Sequence, residues 1–463
     1  MRTIETDYLI VGTGAVGMAF ADVLLAETDA DMVLVDRFGR PGGHWNSAYP
    51  FVTLHQPSAF YGVSSRELSS GRLDETGLNE GLADLATGRE VLAYFDAVMR
   101  ETFLPSGQVR YFPSSDYLGE GRFRSRLTGE ETQVRARKTV DATWLKTTVP
   151  STHVPTFEVA KGVRLVPPNA LPELDAPADG FTVIGGGKTG IDACLWLLEN
   201  GVEPDAIRWI VPRDGWMIDR KNTQPDPSFF MSSMGAQAAQ MEALAEATSV
   251  ADLFDRLEQN GVLLRLDPSV RPRMFHGATI SRAELRELRR VGDVVRLGRV
   301  RSIEGERIVL DEGEIETGPG IVHVDCSASA ITNLETKPIF AGDTITPQCV
   351  RSYQPVFSAA FIAHLEATRD GDEEKNRLAS VVPLPNHDTD WLRIMVPFMT
   401  NQFLWSQDPE LRAWLNGNRL DGFSAVVRSV PADDEEKQAV IRRMRGAAMP
   451  AMANLHKLIA TLD

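Results

Sequence analysis

The chain has 463 residues, 43% of them hydrophobic and 24% charged, which is enough for two or three domains, each with its own core. Its 48 basic and 64 acidic residues leave a net charge of −16, which speaks against a broad nucleic-acid surface. Three scattered cysteines, Cys194, Cys326 and Cys349, form no CxxC pair, which argues for a reducing compartment and against both a redox disulfide and a metal site. The start, Met1-Arg2-Thr3-Ile4, lacks a leader pattern, and no stretch approaches about 18 uninterrupted apolar residues. A cytoplasmic protein with no nucleic-acid or membrane partner is expected.

The first readable element is Tyr8-Leu9-Ile10-Val11 running into Gly12-Thr13-Gly14-Ala15-Val16-Gly17 and then the apolar stretch Met18–Leu25. A short apolar run, GxGxxG and an amphipathic run read as strand, tight turn and helix. The first glycine permits the turn, the second lets the backbone approach a pyrophosphate, and the third lets the helix pack on the strand. A second strand, Asp31–Asp36, ends in an acid 24 positions after Gly12, near the offset of about 20 at which an acid accepts from a ribose hydroxyl. Arg37 follows it. Pro41-Gly42-Gly43-His44-Trp45 is a turn presenting an aromatic, and Ser69–Gly88 is a polar loop. Arg89–Thr102 has helical periodicity, and Val109–Phe112, Arg122–Leu127 and Gln133–Ala142 alternate as strands.

Thr147–Asp175 is proline-rich and reads as a crossing between domains. Beyond it the nucleotide signature repeats. Phe181-Thr182-Val183-Ile184 leads into Gly185-Gly186-Gly187-Lys188-Thr189-Gly190 and the apolar run Ile191–Leu198. One such turn is a weak signal, but two in strand-to-helix context, far enough apart to open two domains, are strong. They suggest electrons passing between two nucleotide cofactors. The next strand, Ala206–Val211, is followed by Arg213. Met234–Asn260 reads as helix, Val295–Glu316 as alternating β, Ile321–Asp325 as a buried strand, and Gln354–Ala367 and Pro431–Leu462 as helices.

These residues resemble the two-dinucleotide-binding-domain flavoproteins, and within them the flavin-containing and Baeyer–Villiger monooxygenases. The carriers are Gly12–Gly17, Asp36, Gly42-Gly43-His44-Trp45, Gln56-Pro57-Ser58-Ala59-Phe60-Tyr61 with Ser64, Val140–Thr143, Gly185–Gly190 and Val324–Ser327. The resemblance implies an α/β fold with two Rossmann-like domains, an FAD domain with an NAD(P) domain inserted, in a glutathione-reductase-like architecture. The expected boundaries are 1–165 for the first part of the FAD domain, 176–320 for the NAD(P) domain, and 321–463 for the return plus a helical C-terminal region.

The resemblance also implies FAD at Gly12, Gly14, Ala15, Val16, Gly17, Asp36, Arg37, Gly43, His44, Trp45 and Gln56. NADPH, in preference to NADH, is implied at Gly185, Gly187, Lys188, Thr189, Gly190 and Arg213. In the expected activity one oxygen atom passes from a flavin hydroperoxide to a small organic substrate, so O2 and a small molecule are the expected partners, with a homodimer left open. A non-oxygenating FAD/NAD(P)H reductase, oxidase or dehydrogenase is the alternative, and a non-catalytic nucleotide-binding protein a third class. Three departures bear on the choice: the family's linker fingerprint is reduced to Phe157, His55 stands where those enzymes carry Asn or Asp, and Trp144 where they carry glycine; the first two favour the non-oxygenating alternative.

Several positions carry two readings. Arg213 at the strand end suits a 2′-phosphate by charge and paired N–H donors, although Asp214 beside it blurs that signal, and Arg220 and Lys221 are weaker candidates for the same phosphate. Lys188 either reaches a phosphate or is a solvated lysine at a helix N-terminus. His55 is the catalytic candidate, a proton donor or hydrogen-bond partner near the flavin, or else an ordinary loop histidine. Trp45, Trp144 and Trp216 could wall the active site; a single tryptophan is more often core, so Trp45 alone, after the double glycine, is taken as a wall. Gly342-Asp343 reads either as an element touching the flavin ribityl chain or as a hairpin turn.

Overall fold

The computed structural model describes residues 2–329 and 333–462. In chain order the first unit is β1 (Arg2–Val11), α1 (Ala15–Glu27), β2 (Met32–Val35), the small hairpin β3 (Gly62–Val63) and β4 (Arg66–Glu67), α2 (Gly88–Val98), β5 (Val109–Phe112), β6 (Ser115–Gly119), β7 (Arg122–Ser125) and β8 (Glu131–Asp141). The crossing carries β9 (Glu158–Val159) and β10 (Leu165–Val166). The second unit follows: β11 (Gly180–Ile184), α3 (Lys188–Glu199), β12 (Ile207–Ile210), β13 (Gly215–Asp219), α4 (Phe230–Glu246), α5 (Val250–Gln259), β14 (Leu263–Leu264), β15 (Met274–Ile280), α6 (Arg282–Leu288), β16 (Asp293–Val295), β17 (Val300–Ile303), β18 (Arg307–Leu310), β19 (Gly313–Glu316) and β20 (Ile321–Asp325). The chain then returns through β21 (Phe340–Ala341), β22 (Thr344–Ile345), α7 (Pro355–Thr368), α8 (Asp372–Leu378), α9 (Asp390–Gln407), α10 (Pro409–Gly417), α11 (Phe423–Arg428) and α12 (Glu435–Ile459).

Both Rossmann-like sheets are present. The first has the order β21-β22-β8-β1-β2-β5, parallel from β22 to β5. The second has the order β10-β20-β11-β12-β16, parallel throughout. Met32–Val35 is buried at every residue, as a parallel strand covered on both faces must be. Helix α1 is apolar nearly all round because it lies between the sheet and α7, in one core with Met18, Phe20, Leu34, Phe357 and Phe361. The second sheet is inserted between β8 and β21, the architecture expected of the sequence.

Two expectations change, and one open choice is decided. The stretch 234–260 is two helices, because Ser249 caps a new one by accepting from Asp252 N at 3.1 Å. Gly342-Asp343 is the turn of the β21–β22 hairpin, with Gly342 at φ +64°. The region read as one NAD(P) unit sends β13 to β15 outward, where Trp216, Phe254 and Leu257 share a core with Leu392, Met395 and Leu455 of the C-terminal helices. Trp216 therefore belongs to that helical lobe, stacked on Phe254 at 5.5 Å, and walls no cofactor cleft.

Candidate cofactor and active site

At the first turn Gly12 takes φ +95° and its N–H reaches Val35 O at 2.8 Å, closing the strand-to-helix corner. A Cβ on Gly17 would stand 1.9 Å from Gly12 O, so the helix can meet the turn only through glycine. Gly14 caps α1 with no side-chain acceptor, and the first helical bond runs from Met18 N to Gly14 O. The amides of Ala15, Val16 and Gly17 thus have no acceptor among the described residues, an arrangement suited to an anion.

Asp36 is buried and anchored to this turn. One carboxylate oxygen accepts from Thr13 N at 2.5 Å and Thr13 Oγ1 at 2.8 Å, and the other from Phe38 N at 2.8 Å. A carboxylate accepts about four hydrogen bonds, so capacity remains for a ribose hydroxyl. Arg37 is exposed, its guanidinium over the Phe38 ring.

The Gly42-Gly43 pair closes over the turn. Gly42 N donates to Thr13 O at 2.8 Å, and a Cβ on Gly43 would stand 2.8 Å from Gly14 Cα. Burial pushes the stacked His44 imidazole down to about 4. Trp45 is buried and donates through Nε1 to Tyr61 Oη at 2.7 Å. Gln56 is partly buried, and its amide has no hydrogen-bond partner among the described residues.

The second turn repeats the chemistry. Gly185 takes φ +127° against Cys326 O, a Cβ on Gly190 would stand 2.0 Å from Gly185 O, and nothing lies within 4 Å of the position a Cβ on Gly187 would take. Gly187 caps α3 with no side-chain acceptor, and Ile191 N to Gly187 O is the first helical bond, which leaves the amides of Lys188, Thr189 and Gly190 open. Lys188 is paired with Asp192 one turn along rather than reaching outward.

The segment after the first turn reaches the helix after the second. Tyr49, a few residues beyond Trp45, donates to Asp192 Oδ2 at 2.6 Å and bonds Thr189, while Phe51 stacks on Trp196 at 5.0 Å. His55 lies near Lys188 at the start of the same helix. Its Nδ1 accepts from Thr279 N at 3.2 Å, so a neutral ring carries its proton on Nε2. Burial, with Lys188 and Arg220 nearby, pushes this imidazole down to about 3. The near-neutral titration expected of it is therefore absent: His55 is a neutral N–H donor.

Arg213 and Asp214 separate cleanly. Asp214 is buried and held bidentate by Arg296 at 2.9 and 3.1 Å. Among the described residues Arg213 bonds the neutral Asn386 side chain, at 2.8 Å, and burial together with Arg299 lowers its pKa. His276 shares Asn386 at 3.1 Å. Arg220 is no phosphate ligand. It is fully buried and bonds His55 O, Asn79 Oδ1, Thr279 O and Glu284, stitching the two units together. Lys221 is exposed, and Trp144 lies at the crossing under Lys337 Nζ.

The sequence reading missed the run between β22 and α7. Arg351 Nε, Ser352 Oγ and Tyr353 Oη, in three consecutive residues, are buried with no hydrogen-bond partner among the described residues. The run lies at the carboxyl edge of the first sheet, where ligands of open α/β sheets bind. Buried polar atoms without partners are rare in native proteins, which marks this run, although Tyr353 packs edge-on against Phe275 of β15 at 5.6 Å. No sequence signal marks them. Tyr49 was also missed, although its place between Trp45 and His55 is a usable clue.

No family model matches the chain. The uncharacterized proteins Rv2000 of Mycobacterium tuberculosis and Mb2023 of Mycobacterium bovis are each 47% identical to it over 459 residues, covering 99% of this chain and 85% of theirs. The chain belongs to their family. Solved structures similar to this member of the family include a cyclohexanone monooxygenase from Rhodococcus sp. Phi1 bound to NADP+, at 14% identity and TM-score 0.47, covering 81% of this chain and 89% of that one. A flavin-containing monooxygenase from Stenotrophomonas maltophilia is similar at 12% identity and TM-score 0.44, covering 79% and 97%. A bacillithiol disulfide reductase from Bacillus cereus is similar at 14% identity and TM-score 0.43, covering 79% and 100%. Among the described residues no helix is long and apolar enough to cross a membrane.

Proposed function

We propose that the chain is an FAD- and NADPH-dependent oxidoreductase, and within that class a single-component monooxygenase acting on a small organic substrate with O2. The observation that carries this reading is the pair of open helix N-termini, α1 and α3, with Tyr49 tying the segment after Trp45 to α3. The amides of Ala15, Val16 and Gly17 would hold the FAD pyrophosphate, Asp36 a ribose, and Trp45, Gln56 and the 351–353 run the ring end. The amides of Lys188, Thr189 and Gly190 would hold the NADPH pyrophosphate, and Arg213, with Arg299 and His276 nearby, the 2′-phosphate. Bound FAD would supply hydride acceptance and reaction with O2. The chain orients the two nucleotides, and His55 offers its Nε2–H as a fixed donor near the start of α3.

The test is the stoichiometry of NADPH oxidised, O2 consumed and oxygenated product formed. Equal amounts of all three support oxygen transfer. The second reading, a reductase, oxidase or dehydrogenase, is favoured by one observation. His55 stands where the resembling monooxygenases carry Asn or Asp, and its Nδ1 is already engaged by Thr279 N at 3.2 Å. NADPH oxidation that ends wholly in hydrogen peroxide or a reduced acceptor would select that reading.

A further inference from the structure

The segment between α10 and α11, residues 418–423, touches two walls of the first nucleotide site. One wall is 59–66, which carries Tyr61, the hydrogen-bond partner of Trp45. Arg419 binds this wall through its main chain: Nη1 donates to Ala59 O at 2.8 Å, Nη2 to Tyr61 O at 2.6 Å, and Nε to both Val63 O and Arg66 O at 3.0 Å. Asn418 reaches Ser64 Oγ at 3.0 Å, and Phe423 stacks on Phe60 at 5.2 Å. Gly422 is required there, since its φ is +63° and a Cβ would stand 2.3 Å from the Phe60 ring. The other wall is the 351–354 run. Asp421 pairs with Arg351 at 2.7 Å, both nearly inaccessible, and the Arg351 guanidinium lies 3.7 Å from the Phe357 ring centroid.

Main-chain carbonyls around a two-stranded hairpin and the loop leading into it exceed what the strand pairing satisfies and call for side-chain donors. A planar fork of five N–H donors meets several at once, and an ammonium cannot. We propose that Arg419 is a positioning residue that fixes Trp45 through Tyr61, and that 418–423 is a strap holding the Trp45–Tyr61 wall in register with the 351–354 wall. The functional part of this inference rests on the proposed reading of that site as the FAD site.

The test compares Arg419→Lys, which keeps a cation near the buried Asp22 carboxylate, with Tyr61→Phe, which breaks only the link to Trp45. In Arg419→Lys, amide exchange in 42–45 and 59–66 rises while 185–190 is unchanged. FAD affinity falls about tenfold, the scale of one or two lost net hydrogen bonds, and the visible spectrum of the bound flavin shifts. Tyr61→Phe reproduces the spectral shift without faster exchange in 59–66, and the double variant adds nothing to the loss of affinity. Wild-type exchange at 42–45 in Arg419→Lys would overturn the positioning role. Wild-type protein that binds no FAD would sink the cofactor reading instead and leave the exchange result to decide the strap.

Discussion

The two glycine turns share one chemistry and differ in cover. Behind Gly14 the backbone of Gly43 sits 3.5 Å from the missing Cβ, Asp36 is tied into the turn, and Trp45 and Tyr61 wall it in. Around the missing Cβ of Gly187 the space is open, and the charges beyond it belong to a partly exposed Arg213. On the proposed reading the same turn serves two purposes. An enclosed one suits a nucleotide that stays, and an open one suits a nucleotide that comes and goes each cycle.

The largest effect should be common to both turns. Gly17→Ala and Gly190→Ala place a methyl about 2 Å from a carbonyl oxygen of the same turn, a backbone clash that cannot relax cheaply. Each should cost about 3 kcal/mol or more in denaturant unfolding. If one is tolerated, its helix does not pack on its strand as described. Gly14→Ala and Gly187→Ala separate the turns. Neither methyl meets anything closer than 3.5 Å, so both variants should fold normally. Gly14→Ala should lose about 100-fold in flavin affinity, about 2.7 kcal/mol, through the blocked approach of the pyrophosphate. Gly187→Ala should keep its flavin and raise only the KM for NADPH. A flavin-replete Gly14→Ala protein would remove FAD from the first turn.

Arg213→Ala comes next. Losing a charge-assisted phosphate contact should weaken NADPH by about 1.5–3 kcal/mol and leave NADH almost unchanged. Equal weakening of both would show that Arg213 does not read the 2′-phosphate. The smallest effect is a pH dependence seated on the enclosed side. His44 and His55 have folded pKa values near 4 and 3, below the unfolded 6.5, so the unfolded chain binds more protons on acidification. Their stabilisation is complete above about pH 6.5 and is lost as pH falls toward those values. Because both rings are partly exposed, the loss between pH 6.5 and 5 should be about 1 kcal/mol each. Replacing His44 or His55 by Asn should flatten the pH profile of the unfolding free energy, and an unchanged slope would show that neither ring is neutral by burial.

Much of the nucleotide half was legible because glycine spacing reports backbone geometry directly: both turns, both strands and Asp36 stand where the sequence put them. Long-range partners were not legible. Asp214 looked like a rival to Arg213 until Arg296, 82 positions away, proved to hold it. Arg220 looked like a phosphate ligand because sequence cannot reveal that Glu284 buries it. His55 was found from its neighbours, but its protonation depends on Thr279 and on burial, neither of which is local. Arg419 carries no motif, because a guanidinium that binds carbonyls asks nothing of the residue types that supply them.

The most direct test is anaerobic addition of NADPH to the FAD-loaded protein, followed by visible absorbance. The account predicts that one equivalent bleaches the oxidised flavin, and that NADH does so only at much higher concentration. A protein that holds FAD yet keeps its oxidised spectrum in excess NADPH would contradict the claim that the two turns serve one reaction.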